Sequence, residues 1–252
     1  MREAIRKGEW HRPTTGCCPG FAQANVVILP ARYAFYFLIF CQRNPKPCPL
    51  LEVMEEGLFE PKRLAPSADI RTDCPRYRLF RHGEQIEEKD DILDLWHGDL
   101  VTFLLGCSFS FEGALLQAGV PVRSIEEGTN VSMFLTNIPC DPAGPFSGNL
   151  VVTMRPIPGH LVSRAVQVTS RFPGLHGAPI QIGEPGTIGI GDLTQPDFGD
   201  PVSVGPGEVP VFWACGVTPH VAILNARPEM AITHSPGYMF ITDRRDEELA
   251  VL

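Results

Sequence analysis

The 252-residue sequence has no Cys-x-x-Cys pair among its eight cysteines, which removes the zinc-ribbon signature. It has no cluster of Lys or Arg. Its 21 basic residues against 29 acidic ones leave a net charge of −8. Phosphate recognition needs a basic face, so no nucleic-acid partner is expected. It has no Gly-x-Gly-x-x-Gly and no Gly-x-x-x-x-Gly-Lys-Ser/Thr, the loops that cradle dinucleotides and nucleoside triphosphates, and no cofactor is expected. It also lacks the run of roughly 20 clean apolar residues that a membrane span requires. The most apolar stretch, residues 26–40, carries Pro30 and Arg32 and reads as a buried core element. That stretch lies behind charged, turn-rich sequence, so it does not read as an export signal. The expectation is a cytoplasmic protein with reduced thiols and no membrane partner.

What is present fits a packed enzyme-sized chain. Apolar residues make up 44% of it and charged residues 20%, enough for one large domain or two small ones. The 24 glycines and 25 prolines are spread without period, which implies many tight turns. Residues 1–20 read as a loosely held arm. Residues 25–29 read as a strand and 31–41 as a helix, ended by Pro45, Pro47 and Pro49. Residues 66–78 read as a loop. Residues 84–98, acidic with Leu and Trp on one face, read as a short amphipathic helix.

The second half repeats a rhythm of apolar run, turn, helical stretch and apolar run. It occurs at 101–106, 108–117 and 131–136; at 150–154, 158–170 and 178–182; and at 209–213, 218–225 and 238–242. Ser108 and Thr218-Pro219 supply helix-start chemistry. The expected fold is therefore α/β, a mixed sheet with helices on its faces built from strand–helix–strand units, plus a smaller β-rich subdomain. The domain division expected is 1–145 with 209–252 as the main α/β domain, and 146–208 as an inserted α+β subdomain. Residues 183–208 are Gly- and Pro-rich and read as loops and short strands.

Several strings are unusual enough to carry a resemblance. They are Gly106-Cys-Ser-Phe-Ser-Phe-Glu112, Met154-Arg-Pro156, His176-Gly-Ala-Pro179, Ile188-Gly-Ile190, Pro196-Asp197, Phe212-Trp-Ala-Cys-Gly-Val-Thr-Pro219 and Thr233-His-Ser-Pro-Gly237. Gln23-Ala-Asn25, Arg43-Asn-Pro-Lys-Pro-Cys-Pro49 and Ala68-Asp-Ile-Arg-Thr-Asp-Cys-Pro75 join them. Together, over roughly residues 15–245, they resemble the D-glutamate cyclase family of hydro-lyases. Gln181 stands where that family often has His, and His220 where it often has Gln. The resemblance implies a lyase that converts D-glutamate to 5-oxo-D-proline and water.

That reaction needs an anion site, a base for the amine, donors for an oxyanion and an acid for the departing oxygen. Arg155, at a strand end, can hold a carboxylate bidentately. The turns at 106–110, with Ser108 and Ser110, and at 215–219, with Thr218, expose helix-start N–H groups that favour anions. His176 and His234 lie in small-residue loops and titrate near neutrality, so His176 is the candidate for proton transfer and His234 for substrate contact. Glu112, one turn into its helix, or Asp192 can orient a histidine. Glu112, Asp192 and Asp197 can also receive the substrate ammonium. Cys107 and Cys215 each sit between a strand and a helix, where a thiol could act as nucleophile, although a buried structural thiol suits them better. Two alternatives remain open. One is a metal-assisted hydratase or amidohydrolase, with His176, Asp192, Asp197 and His234 as ligands. The other is a non-catalytic small-acid binding protein. The expected partner is a small carboxylic or amino acid, and the sequence leaves a homo-oligomer open.

Overall fold

The computed structural model describes residues 1–251. After a short helix α1 (Arg2–Arg6), the chain enters strand β1 (Phe21–Pro30), whose last nine residues are all buried. A strand buried on both faces reads as a continuous apolar run rather than an alternation. Pro30 has its φ fixed near −57° and opens helix α2 (Ala31–Arg43) directly. Asn44 closes that helix: its Nδ2 donates to the Phe40 and Asp141 carbonyls, and its Oδ1 accepts from the Asp141 N–H.

Strand β1 is the centre of a seven-stranded sheet. Strands β2 (Leu50–Met54), β3 (Tyr77–Arg81), β4 (Glu84–Lys89), β5 (Leu100–Gly106), β10 (Ala231–His234) and β11 (Phe240–Arg245) join it. The order is β2-β5-β1-β10-β3-β4, with β11 also pairing β1. The second sheet has the order β6-β7-β9-β8, from β6 (Ser132–Pro139), β7 (Asn149–Pro158), β8 (Gln181–Ile182) and β9 (Glu208–Ala214). It therefore draws on both sides of the segment 146–208. Helices α3 (Phe109–Gln117), α4 (Arg123–Glu127), α5 (Val162–Ser170) and α6 (Thr218–Ala226) complete the fold.

The α/β architecture of sheets and helices is the one expected. Every strand pairing among the described residues is antiparallel. The reason lies in where the strand–helix–strand units lead. The unit β5–α3–β6 passes from the first sheet to the second, and β9–α6–β10 passes back. Neither returns to its own sheet as a parallel crossover would. The unit β7–α5–β8 stays in the second sheet, but β9 lies between its two strands.

Three cores follow. Val27, Leu29, Phe103 and Leu105 of the first sheet pack with Phe134, Val152 and Phe212 of the second, and with Phe37 and Phe40 of α2. The opposite face of the first sheet covers Leu64, Ile70 and Tyr77. The outer face of the second sheet, through Ile157, Val211 and Trp213, covers α3 and α5. Each fully buried Phe or Leu in these layers stabilises by roughly 1.5–3 kcal/mol.

Two expectations need correction. Residues 84–98 are not a helix. Residues 77–89 form a hairpin whose turn, His82-Gly83, has φ of 51° and 83°, as a two-residue hairpin turn demands. The acidic residues line β4, an edge strand, where charge discourages pairing with another chain. Only a short 3-10 turn (Leu93–Leu95) follows. Residues 1–20 are not a loose arm either. Thr14 is fully buried: its N–H donates to the Gly237 carbonyl at 2.8 Å and its hydroxyl accepts from the Met239 N–H at 3.0 Å. Arg6 pairs with the buried Asp73.

Candidate functional site

The two strand-to-helix turns at the sheet crossovers meet. Asn25, on β1, donates from Nδ2 to the Gly106 carbonyl at 2.6 Å, at the end of β5. The same amide lies against Gly216, where a β-carbon would fall 2.1 Å from Nδ2. A side chain at 216 is excluded by that approach. Cys107 and Cys215 pack in one apolar cluster with Met133, Val151 and Met239.

Beside this junction lies a buried ion pair. Arg155, on β7 and 1% exposed, donates from Nε to Glu112 Oε1 at 3.0 Å, and Nη2 bonds the same oxygen. Its Nη2 also reaches the Ser108 hydroxyl at 3.1 Å, and Nη1 the Thr153 hydroxyl at 3.0 Å. Phe111 and Trp213 rings flank the guanidinium at 5.4 and 5.6 Å. The sequence leads one to expect Arg155 free for a substrate carboxylate; four of its five N–H donors are instead committed to the protein. Burial pushes the Glu112 carboxyl up, and the charge and hydrogen bonds of Arg155 pull it back. The second Glu112 oxygen, Oε2, has no partner.

Glu112 also lines a cavity of about 120 Å³, together with Cys17, Gln23, Phe109, Leu116 and Asp246. Ser110, on the same helix, accepts from the Gln23 backbone N–H at 2.8 Å. Of the expected residues, Ser108, Ser110, Glu112 and Arg155 thus form one connected group. Gln23, Asn25, Thr153 and Asp246 belong with them; none is a candidate site residue in the sequence, although Gln23-Ala-Asn25 is one of the strings that carry the resemblance. Gln23 and Asn25 had a signal, as the two polar residues in an otherwise apolar strand.

The thiols have a different task from nucleophilic attack. Cys107 Sγ accepts from the Phe109 N–H at 3.5 Å, and Cys215 Sγ from the Val217 N–H at 3.4 Å. Each sulfur satisfies one of the orphan donors at a helix start, where no oxygen side chain caps. Burial raises both thiols, Cys215 to about 12, so they are protonated at neutral pH. Thr218 ties the second turn to β7. Its hydroxyl donates to the Cys215 carbonyl at 2.8 Å and accepts from the Val151 N–H at 3.0 Å.

His176 adjoins the group, close to the Gly106 backbone, with Nδ1 on the Lys46 carbonyl at 2.8 Å and Nε2 unpartnered. Its φ is 85°, and burial lowers its pKa to about 4, so it is a neutral imidazole. His234 lies on the other side of Asn25. Its Nδ1 meets the Val26 N–H at 3.1 Å, and its ring stands edge-on to His220 at 5.2 Å. Burial lowers His234 to about 4 and His220 well below its ordinary value.

Asp192 and Asp197 are exposed and make local bonds. Asp192 accepts from the Thr194 N–H and hydroxyl and from Gln195, which hold its carboxyl low. Asp197 accepts from the Leu135 N–H at 2.7 Å. These are turn and strand-edge bonds, and neither residue joins the buried group. Among the described residues, no three His, Cys, Asp or Glu side chains come together as a metal-holding group. The four ligands imagined for a metal-assisted reaction therefore do not converge. No described helix is long and apolar enough to cross a membrane.

With that geometry in place, the relatives of the chain can be considered. A family profile described as D-glutamate cyclase matches residues 101–243. A Bacillus subtilis protein named "Putative hydro-lyase YcsI" is 61% identical over 252 residues, covering 100% of this chain and 98% of that protein. A "Putative hydro-lyase" of Syntrophobacter fumaroxidans is 61% identical over all of this chain and 97% of its own. One of Stutzerimonas stutzeri is 60% identical over all of this chain and 95% of its own.

Proposed function

The chain belongs to the D-glutamate cyclase family of hydro-lyases, and from that premise we propose that it closes D-glutamate to 5-oxo-D-proline with loss of water. The reaction balances without a co-reactant. The ammonium nitrogen bonds the side-chain carboxyl carbon. Two of its three protons leave with a carboxylate oxygen as water, and one stays on the lactam nitrogen.

One observation supports the assignment of the site. Glu112 is a buried carboxylate with one oxygen fixed on Arg155 and the other unpartnered, and it lines a cavity of small-molecule size. A carboxylate so placed is a base with a free lone pair. Arg155 acts through it as a positioning residue, its charge and hydrogen bonds opposing the rise that burial imposes on the Glu112 carboxyl. Ser108 and Thr153 hold the guanidinium in plane with its partner. His176, a neutral imidazole with a free Nε2 near the Gly106 turn, is the second proton carrier.

The test is incubation of the purified chain with D- and L-glutamate and with both 5-oxoprolines, followed by chiral product analysis. Formation of 5-oxo-D-proline from D-glutamate is the expected result. Turnover of another acid only would overturn the substrate. Tight binding of D-glutamate with no product would make the protein a small-acid binder.

A further inference from the structure

We propose that the cavity between residues 17–23, α3 and the 3-10 helix Asp246–Leu249 is an ammonium seat, in which Glu112 Oε2, Gln23 Oε1 and Asp246 Oδ1 receive the three N–H groups of the amino-acid substrate's amine. The proposal rests on the cyclase reading for the identity of the amino acid, but not for the chemistry of the seat.

All three residues line the cavity, and each carries a buried oxygen with no hydrogen-bond partner. Orphaned buried acceptors are costly, and three on residues that line one cavity call for a donor-rich occupant. Gln23 fixes the polarity of the site. Its Nε2 donates to the Thr14 and Cys17 carbonyls, both at 3.1 Å, so both amide hydrogens are used and the amide oxygen is the atom left over. Glu112 offers its second oxygen because Arg155 holds the first.

Asp246 is held in place by its backbone. Its N–H donates to the Gly20 carbonyl at 3.1 Å, and the Ser110 hydroxyl lies against its carboxyl. Burial raises that carboxyl to about 7, with Glu247 adding to the rise and Arg245 only partly opposing it. A cation in the cavity supplies the missing counter-charge. An ammonium has three donors and no acceptor, which matches the three acceptors. A carboxylate or phosphate group has the wrong sign for this end of the site.

The seat also explains the N-terminal latch. Thr14, pinned to Gly237 and Met239, sets the position of Cys17 and of the Gln23 amide. The cavity wall is thus built from residues 17–23 and from residue 246, over 220 positions away in the sequence.

The test measures equilibrium binding to the full chain of D-glutamate, L-glutamate and glutarate, the last being the same diacid without the amine. The wild type and Asp246→Asn are compared. The variant keeps the shape and removes the charge. Wild type is expected to bind D-glutamate at least about 10-fold more tightly than glutarate, and Asp246→Asn to lose about 10-fold or more for D-glutamate while leaving glutarate unchanged. Equal affinity for D-glutamate and glutarate, equal weakening of both by Asp246→Asn, or no binding of either glutamate enantiomer overturns the seat. So does Mg²⁺ or Ca²⁺ binding there with no effect of the amine. Amine-dependent binding without 5-oxoproline formation leaves the seat standing and removes the cyclase assignment. Wild-type kcat/KM for D-glutamate in Asp246→Asn does the reverse.

Discussion

The two sheet crossovers begin alike and end differently. At each, a strand stops, a cysteine follows, and its sulfur caps the N–H two residues on. After Cys107 come Ser108 and Glu112, both bonded to Arg155, and Ser110, which accepts from the Gln23 N–H; Glu112 and Gln23 line a cavity. After Cys215 comes Gly216, packed on Asn25, then Thr218 bonded to β7 and His220 edge-on to His234. The first crossover keeps an unpartnered carboxylate oxygen beside open space. The second closes its polar groups into the packed interior. The same turn chemistry thus borders a cavity in one place and the packed interior in the other, and what differs is the third and fifth residue past the cysteine.

The largest effect should come from the first crossover. Glu112→Ala leaves Arg155 buried and unpaired, which should cost about 3–5 kcal/mol. Glu112→Gln keeps the shape and should abolish turnover of D-glutamate while remaining foldable at low temperature. Denaturant unfolding together with product assays checks both. Full activity in Glu112→Gln would erase the distinction between the crossovers.

Acid should probe the histidines on both sides. His176 and His234 have folded-state pKa values of about 4, below the unfolded value of about 6.5. The unfolded chain therefore binds more protons between those limits. Their stability is fully present above about pH 6.5 and is lost as pH falls toward 4, by up to about 3 kcal/mol each. His234→Gln should flatten the stability profile in that window. Asp246 titrates in the opposite sense: its carboxyl is raised to about 7, so Asp246→Asn should stabilise the fold at pH 8. Urea unfolding across pH 4–8 measures both slopes.

Gly216→Ala tests the closed crossover. Its β-carbon would meet the Asn25 amide at 2.1–2.4 Å, and the expected cost is about 1–3 kcal/mol. Asn25→Ala in the same chain should recover part of that loss, because it removes the obstructing amide.

The smallest effect is expected at the sulfurs. Cys107→Ser and Cys215→Ser each retain an acceptor for the same N–H, and should cost about 1 kcal/mol and change turnover by less than about threefold. A loss of activity of a hundredfold or more in either would make that thiol a nucleophile.

How much of this was legible can be judged residue by residue. The strand and helix at 21–43, and the strings around 106 and 215, show in the sequence because apolar runs and helix starts are local signals. The hairpin at 77–89 was obscured because an edge strand carries charge on its faces, and charge there resembles a solvated helix. The grouping of Ser108, Glu112 and Arg155 was anticipated only as a shared pocket. That Glu112 holds the Arg155 guanidinium depends on a contact 43 positions apart, which no spacing reveals. Asp192 and Asp197 carried site-like neighbours, but their bonds are those of turns. Gln23 and Asp246 meet only because β11 pairs with β1, bringing the two ends of the chain together.

That last pairing has a consequence for how the protein is made. Strand β1 leaves the ribosome well before its partners β10 and β11. At roughly 5–20 residues per second, β1 waits about 10–45 s for β11. During that interval, a strand with nine buried positions in the finished sheet has one flank without its partners. The protein should therefore depend on chaperones during synthesis more than a chain with local pairings, and slowed translation between β1 and β10 should lower the folded yield.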